Sequence, residues 1–258
     1  MILRRVIAHF RKQEWTAIAL DFLIVVIGVF VGLQVNNWNG ARADRELGDQ
    51  YTIRLVADLE QDLADNLVLL AYYDQVLASV VDADRLLASP DANPKDLVAA
   101  AYRASEFSNN PTDRATWDQI VSSGHLGLLP SQEVADGLSE YYKFQDLNDE
   151  TNSLLQGTPY RFAVRALIPL PLQLAIREGC SDTVGEAGTI TGFVEECRID
   201  VDEALLEATA HELKSSPSIR EALRHQYSMV ATVRNNIGGN IASLEVVIDG
   251  LRNDGVAP

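Results

Sequence analysis

The residues of this 258-residue chain that could do chemistry are few and scattered. Asp21 lies inside an apolar run, where a carboxyl group can take a proton or share a hydrogen bond across a helix contact. The segment Asp58-Leu59-Glu60-Gln61-Asp62-Leu63-Ala64-Asp65 offers four carboxylates, but they alternate with leucines and carry no EF-hand pattern. A solvated helix face is therefore the expectation there. His125, His211 and His225 are isolated from one another. His125 follows Ser122-Ser123-Gly124, which could be drawn as a nucleophile and base; the spacing fits a helix C-terminal turn better, with Gly124 at positive φ. Tyr72-Tyr73, Tyr141-Tyr142 and Trp117 are expected in the core. No Gly-x-Ser-x-Gly, phosphate-cradling glycine loop or His-Glu-x-x-His is present. The expectation is a protein that is not an enzyme, with no catalytic residue, cofactor or metal site.

Cys180 and Cys197 are the only cysteines. Their spacing excludes a Cys-x-x-Cys redox pair and a zinc knuckle. In an extracytoplasmic compartment they are expected to form a disulfide around a Gly- and Thr-rich loop, residues 180–197.

That compartment follows from the N-terminal region. Residues 15–35 read WTAIALDFLIVVIGVFVGLQV, interrupted only by Asp21 and Gln34 among otherwise apolar or small residues at its centre. As a helix this run spans about 32 Å, enough for the hydrocarbon core of a bilayer. Trp15 and Trp38 bracket it as interfacial anchors. Arg4, Arg5, Arg11 and Lys12 precede it, with no acid among the first 13 residues, whereas 35 Asp+Glu against 17 Lys+Arg follow from Trp38 onward. The net charge of −16 thus divides into a +4 tail, a near-neutral span and a −18 remainder. The positive-inside bias puts the N-terminus in the cytoplasm and the rest outside. Ala41-Arg42-Ala43 has the form of a signal-peptide cleavage site, but it sits behind the bulky Asn36-Asn37-Trp38-Asn39, so a retained anchor is the expectation. The strong acidity argues against nucleic acid as a partner.

Gly28 and Gly32 each fall within about 20° of Asp21 around a helix, which makes a candidate association face for a second copy or another membrane protein. The expected organisation is a basic cytoplasmic tail (1–14), a transmembrane helix (15–37) and an extracytoplasmic, periplasmic domain (38–258).

The remainder reads as helices. Tyr51, Leu55, Leu59, Leu63, Leu67 and Leu70 recur at steps of three or four, predicting a helix over 44–89 that can run on from the membrane segment and ends at Ser89-Pro90. Further helices are predicted from Pro94 to about Glu106, from Asn110–Asp113 to Ser122, from Ser131 to about Leu155, from Thr158-Pro159 to about Arg177 with a bend at Pro169 and Pro171, over Asp200–Leu213, and from Ser216-Pro217 to about Leu251 with a kink at Gly238-Gly239. The fold class is all-α: a transmembrane helix followed by an antiparallel helical bundle.

The junction Leu33-Gln34-Val35-Asn36-Asn37-Trp38-Asn39 resembles the signature of a family of bacterial single-pass membrane proteins, a domain of unknown function. Ser123-Gly124-His125-Leu126-Gly127-Leu128 and Tyr141-Tyr142 are similar to later features of the same family. The resemblance covers roughly residues 15–145. It implies a single span, with Gln34, Asn36, Asn37, Trp38 and Asn39 at the membrane interface, and no catalytic residue.

The functional expectation is a membrane-anchored interaction or ligand-sensing module of the bacterial inner membrane, with the lipid bilayer and a second copy or membrane protein as partners. Ranked below it are an ion-coupled accessory subunit using Asp21, in the manner of stator-type motor proteins, and a tethered periplasmic hydrolase.

Overall fold

The computed structural model describes residues 15–185 and 189–254. The chain divides into two compact units, residues 1–51 and 52–258. The basic tail 1–14 lies outside the described residues.

The helices are α1 (Trp15–Ala88), α2 (Pro94–Arg103), α3 (Ala115–Ser122), α4 (Gln132–Leu154), α5 (Pro159–Leu167), α6 (Leu170–Gly179), α7 (Glu203–Ser215) and α8 (Pro217–Asp254). About 80% of the chain is helical against 3% strand, so the all-α class stands. α1 continues through residues 36–43 without interruption and stops before Pro90, which removes an N–H and disfavours helix at the residue before it.

Start signals written in the sequence act as side-chain caps. Asn93 accepts from the Lys95 and Asp96 amides, Ser131 from Val134, Thr158 from Arg161 and Asp202 from Ala204. Each satisfies N–H groups that the first helical turn leaves unpaired. Gly124, at φ +71°, ends α3: the His125 amide donates to Ile120 and the Gly124 amide to Val121, the paired closure of a Schellman turn.

Three expectations need correction. Asp113 does not lead into α3, because its amide donates to Asp62 Oδ1 while its carboxylate accepts from Ala115, so the helix begins at Ala115. The prolines break the next segment instead of bending it. Ile168 is extended (φ −77°, ψ 119°), and α5 and α6 are separate helices. The Gln173 side chain donates to the Arg165 and Ile168 carbonyls at 2.7 and 2.8 Å, replacing helical partners lost at the break. The 180–197 loop contains a hairpin, β1 (Asp182–Val184) antiparallel to β2 (Ile190–Phe193), with Asp182 opposite Phe193 and Thr183 opposite Gly192. Its strands are too short to show alternation in the sequence. α8 runs through Gly238-Gly239 as one continuous helix.

Within the 52–258 unit, α4 and α5 pack on α8, and α2 packs on α7. One apolar core gathers Leu69, Tyr72, Tyr73, Val76 and Val80 of α1 with Leu97, Tyr160, Leu172, Leu213, Leu223 and Val233. Leu55, Leu59, Ile120, Leu138, Leu244 and Leu251 are buried as well. Leu67, expected in the core stripe, is 51% exposed, because the buried face of α1 passes instead through Asp62 and Leu69.

Polar side chains interrupt the buried stripes of three helices at corresponding places. Asp62 lies between Leu59 and Leu69 on α1, Gln145 and Asn148 between Tyr142 and Leu155 on the α4 segment, and Asn240 between Ile237 and Leu244 on α8. Asn148 donates to Asn240 at 2.8 Å and Asn240 to Gln145 at 3.0 Å. A buried amide ladder loses its bonds if either helix slides by one turn, so it fixes the register of α4 against α8.

Candidate functional site

The proposed association face lies on α1. Asp21, Gly28 and Gly32 are exposed, and a Cβ added at either glycine meets nothing within 4 Å. Gln34, Asn36, Asn37, Trp38 and Asn39 follow on the same helix, also exposed, with Trp38 at 62%. From Ile18 to Val35 every described side chain is exposed, including Phe22, Val29, Phe30 and Leu33.

The second site was not legible in the sequence. Beneath the hairpin, Glu106 is buried at 6% exposure, between Arg165 at 2.9 Å and Arg161 at 3.6 Å. Arg161 also donates to the Ser105 carbonyl, and Arg165 Nε donates to Ser105 Oγ. The Arg165 guanidinium stacks over the Tyr102 ring at 3.4 Å, and Arg177 Nε donates to the Tyr102 hydroxyl at 3.0 Å. Arg161 and Arg165 stand four apart on α5, where like charges repel, so an acid from another element has to compensate them. That pattern was the one signal available, but it could not name Glu106 as the partner. The hairpin adds Asp182, whose carboxylate accepts from Tyr72 at 3.4 Å. Burial and the nearby Glu106 carboxylate push Asp182 up to about 6, against the opposing pull of Arg177.

Cys180 and Cys197 are joined at the base of this hairpin, with Cα atoms 4.4 Å apart. Gly179 precedes the bridge, and its carbonyl accepts from the Arg198 amide at 2.8 Å. A Cβ at Gly179 would collide with the Arg198 carbonyl oxygen, so only glycine admits this close approach. Arg103 of α2 ties the hairpin down, donating to the Val194 carbonyl at 2.8 Å and the Cys180 carbonyl at 3.4 Å, with its guanidinium 4.8 Å from the Phe193 ring. Gln75 of α1 accepts from the Phe193 amide at 2.8 Å.

The four carboxylates of the 58–65 segment do not share one solvated face. Glu60 is exposed and pairs with Arg252, whereas Asp62 is 3% exposed. Asp62 accepts from the Asp113 amide at 3.0 Å and from Tyr141 at 3.1 Å, beside Tyr142, which stacks on Trp117 at 5.1 Å. Burial raises the Asp62 carboxyl to about 6 despite those two hydrogen bonds. The aromatics are thus core residues, as expected.

These two acids set a pH dependence. Their folded values, about 6, lie above the ordinary carboxylate range. Between roughly pH 4 and 6 the folded state therefore holds protons that the unfolded state releases, and stability falls as pH rises through that window. The rise corresponds to about 3 kcal/mol for the buried Asp62, and to less for the half-buried Asp182, which solvent screens. Urea midpoints of the wild type are expected to be higher at pH 5 than at pH 7.5, with a smaller difference in Asp62→Asn. An equal difference in the variant would remove Asp62 from the account.

His211 and His225 are exposed on separate helices, and among the described residues no three His, Cys, Asp or Glu side chains cluster as a metal site. Two adjoining clefts flank the hairpin, of about 470 and 410 Å³. Both are lined by Ser79, Arg103 and Glu195. Compared with protein-family models, curated proteins and solved structures, the chain finds no match.

Proposed function

We propose that this chain is an inner-membrane protein of a bacterium, anchored by residues 15–37, with a cytoplasmic N-terminus and a periplasmic antiparallel helical bundle that acts as an interaction or ligand-sensing module without catalysis. The observation that carries the reading is the unburied apolar surface of α1 from Ile18 to Val35. In water each such side chain forgoes roughly 1.5–3 kcal/mol of burial, whereas a bilayer covers all of them at once. Trp15, Trp38 and the Asn-rich junction suit the two interfaces. The Cys180–Cys197 bridge fits an oxidising compartment. Asp21, Gly28 and Gly32 supply a face through which a second copy or a membrane partner would receive a signal.

Carbonate extraction of cell membranes tests the anchor, and protease treatment of spheroplasts tests the topology. The full-length protein is expected in the carbonate-resistant pellet, with a C-terminal tag digested from outside intact spheroplasts. Release of full-length protein by carbonate would sink the anchor, and a tag protected until lysis would reverse the orientation.

A further inference from the structure

The paired clefts beside the hairpin combine three elements. α1 contributes Ser79, α2 contributes Lys95, Asp96 and Arg103, and the hairpin exit contributes Glu195. The lining includes the short side chains Ala99 and Ala100 in one cleft and Ala78 in the other. Asp82 and Arg85 pair with each other at 2.9 Å, whereas other charges of both signs on the walls have no partner among the described residues. The Lys95 ammonium and the Asp96 and Glu195 carboxylates make no ion pair or side-chain hydrogen bond among the described residues, and neither does Nη1 of Arg103. Arg103 is nevertheless held in place by its other nitrogens, which bond the Cys180 and Val194 carbonyls. It is a positioned donor with capacity to spare.

We infer that these clefts bind a small zwitterion carrying a carboxylate and an ammonium group, of the free α-amino acid or short-peptide class. Arg103 and Lys95 receive the carboxylate, and Glu195 and Asp96 receive the ammonium. A simple anion would meet two uncompensated acids in the cleft and a chain of net charge −16 around it. A simple cation would leave Arg103 and Lys95 facing it unpaired. Only a ligand bearing both charges pairs both walls, and a cleft of about 470 Å³ accommodates one of this size. The inference rests on reading the 52–258 unit as a sensing module, and it names the ligand.

The test is calorimetric titration of the full-length chain in nanodiscs with each common free L-amino acid and with L-alanyl-L-alanine. Any binder is then repeated as its N-acetyl and C-amide derivatives. At least one zwitterion is expected to bind saturably, with affinity lost when either end is blocked. Lys95→Gln and Glu195→Gln should each weaken binding roughly tenfold or more, the value of one charged hydrogen bond, while leaving the circular dichroism spectrum unchanged. No saturable binding by any probe overturns the inference, as does equal affinity for blocked ligands or undiminished affinity in both variants. Carbonate extraction of the same protein reads the anchor independently, so loss of the ligand and loss of the membrane reading are told apart.

Discussion

Glu106→Ala is expected to lower the unfolding free energy by about 3 kcal/mol, because it strands two half-buried arginines. Arg161 and Arg165 are only 19% and 16% exposed at their side chains, and Glu106 is the acid that pairs with both. Without it, neither guanidinium can recover full hydration, and their mutual repulsion on α5 is no longer offset. Asp182 makes no ion pair with either arginine among the described residues, so it does not take the place of Glu106. Glu106→Gln keeps the shape and one acceptor but not the charge, and is expected to cost nearly as much. Urea denaturation followed by circular dichroism reads both values. The exposed Arg42–Glu46 pair is the contrast: both side chains are more than 60% exposed, so Glu46→Ala should change stability by less than about 0.5 kcal/mol. If Glu106→Ala behaved like Glu46→Ala, the cluster would be a surface ion pair in effect.

What could be read in the sequence was what local chemistry decides. Ser131, Thr158-Pro159 and Gly124 act within one helical turn, so their effect is written in neighbouring residues. The apolar run on α1 is likewise a contiguous property. The cysteine pair was legible because only two cysteines exist. By contrast, Glu106, Arg161, Arg177 and Asp182 come from four separate elements, and no local pattern states that they meet. Asp62 shows the same limit from another side. Its neighbours Glu60 and Asp65 made it look like one of a solvated set, but it falls on the buried face between Leu59 and Leu69. An acid on a core stripe is a tertiary decision, made here by the Asp113 amide and the Tyr141 hydroxyl from distant elements. The fold class was therefore visible as a sum of helices, while the sites that depend on helix register were not.

Removing the disulfide is the second large effect. In the chain-entropy view, a bridge across 17 positions contributes about 3 kcal/mol by restricting the unfolded chain. The structure adds a local consequence. β1 and β2 form a sheet of only two strands, too small to persist alone. Its polar attachments are Arg103 to two carbonyls, Gln75 to the Phe193 amide and Tyr72 to Asp182, beside the packing of Ile190 and Phe193 against the core. The bridge anchors both ends of the hairpin at once, so that these weak bonds form within one closed loop. In the double variant Cys180→Ala/Cys197→Ala the hairpin should open below the global transition, while the amides of α4 and α8 keep their protection. Hydrogen exchange would then show faster exchange of the described amides between Asp182 and Val194, together with a urea midpoint lowered by an amount matching about 3 kcal/mol. Reductant applied to the wild type should reproduce both changes. Unchanged exchange at Phe193 and Val194 would mean that Gln75 and Arg103 hold the strand unaided. A fall in protection spread evenly over α4 and α8 would mean that the bridge acts on the whole 52–258 unit instead of on the hairpin.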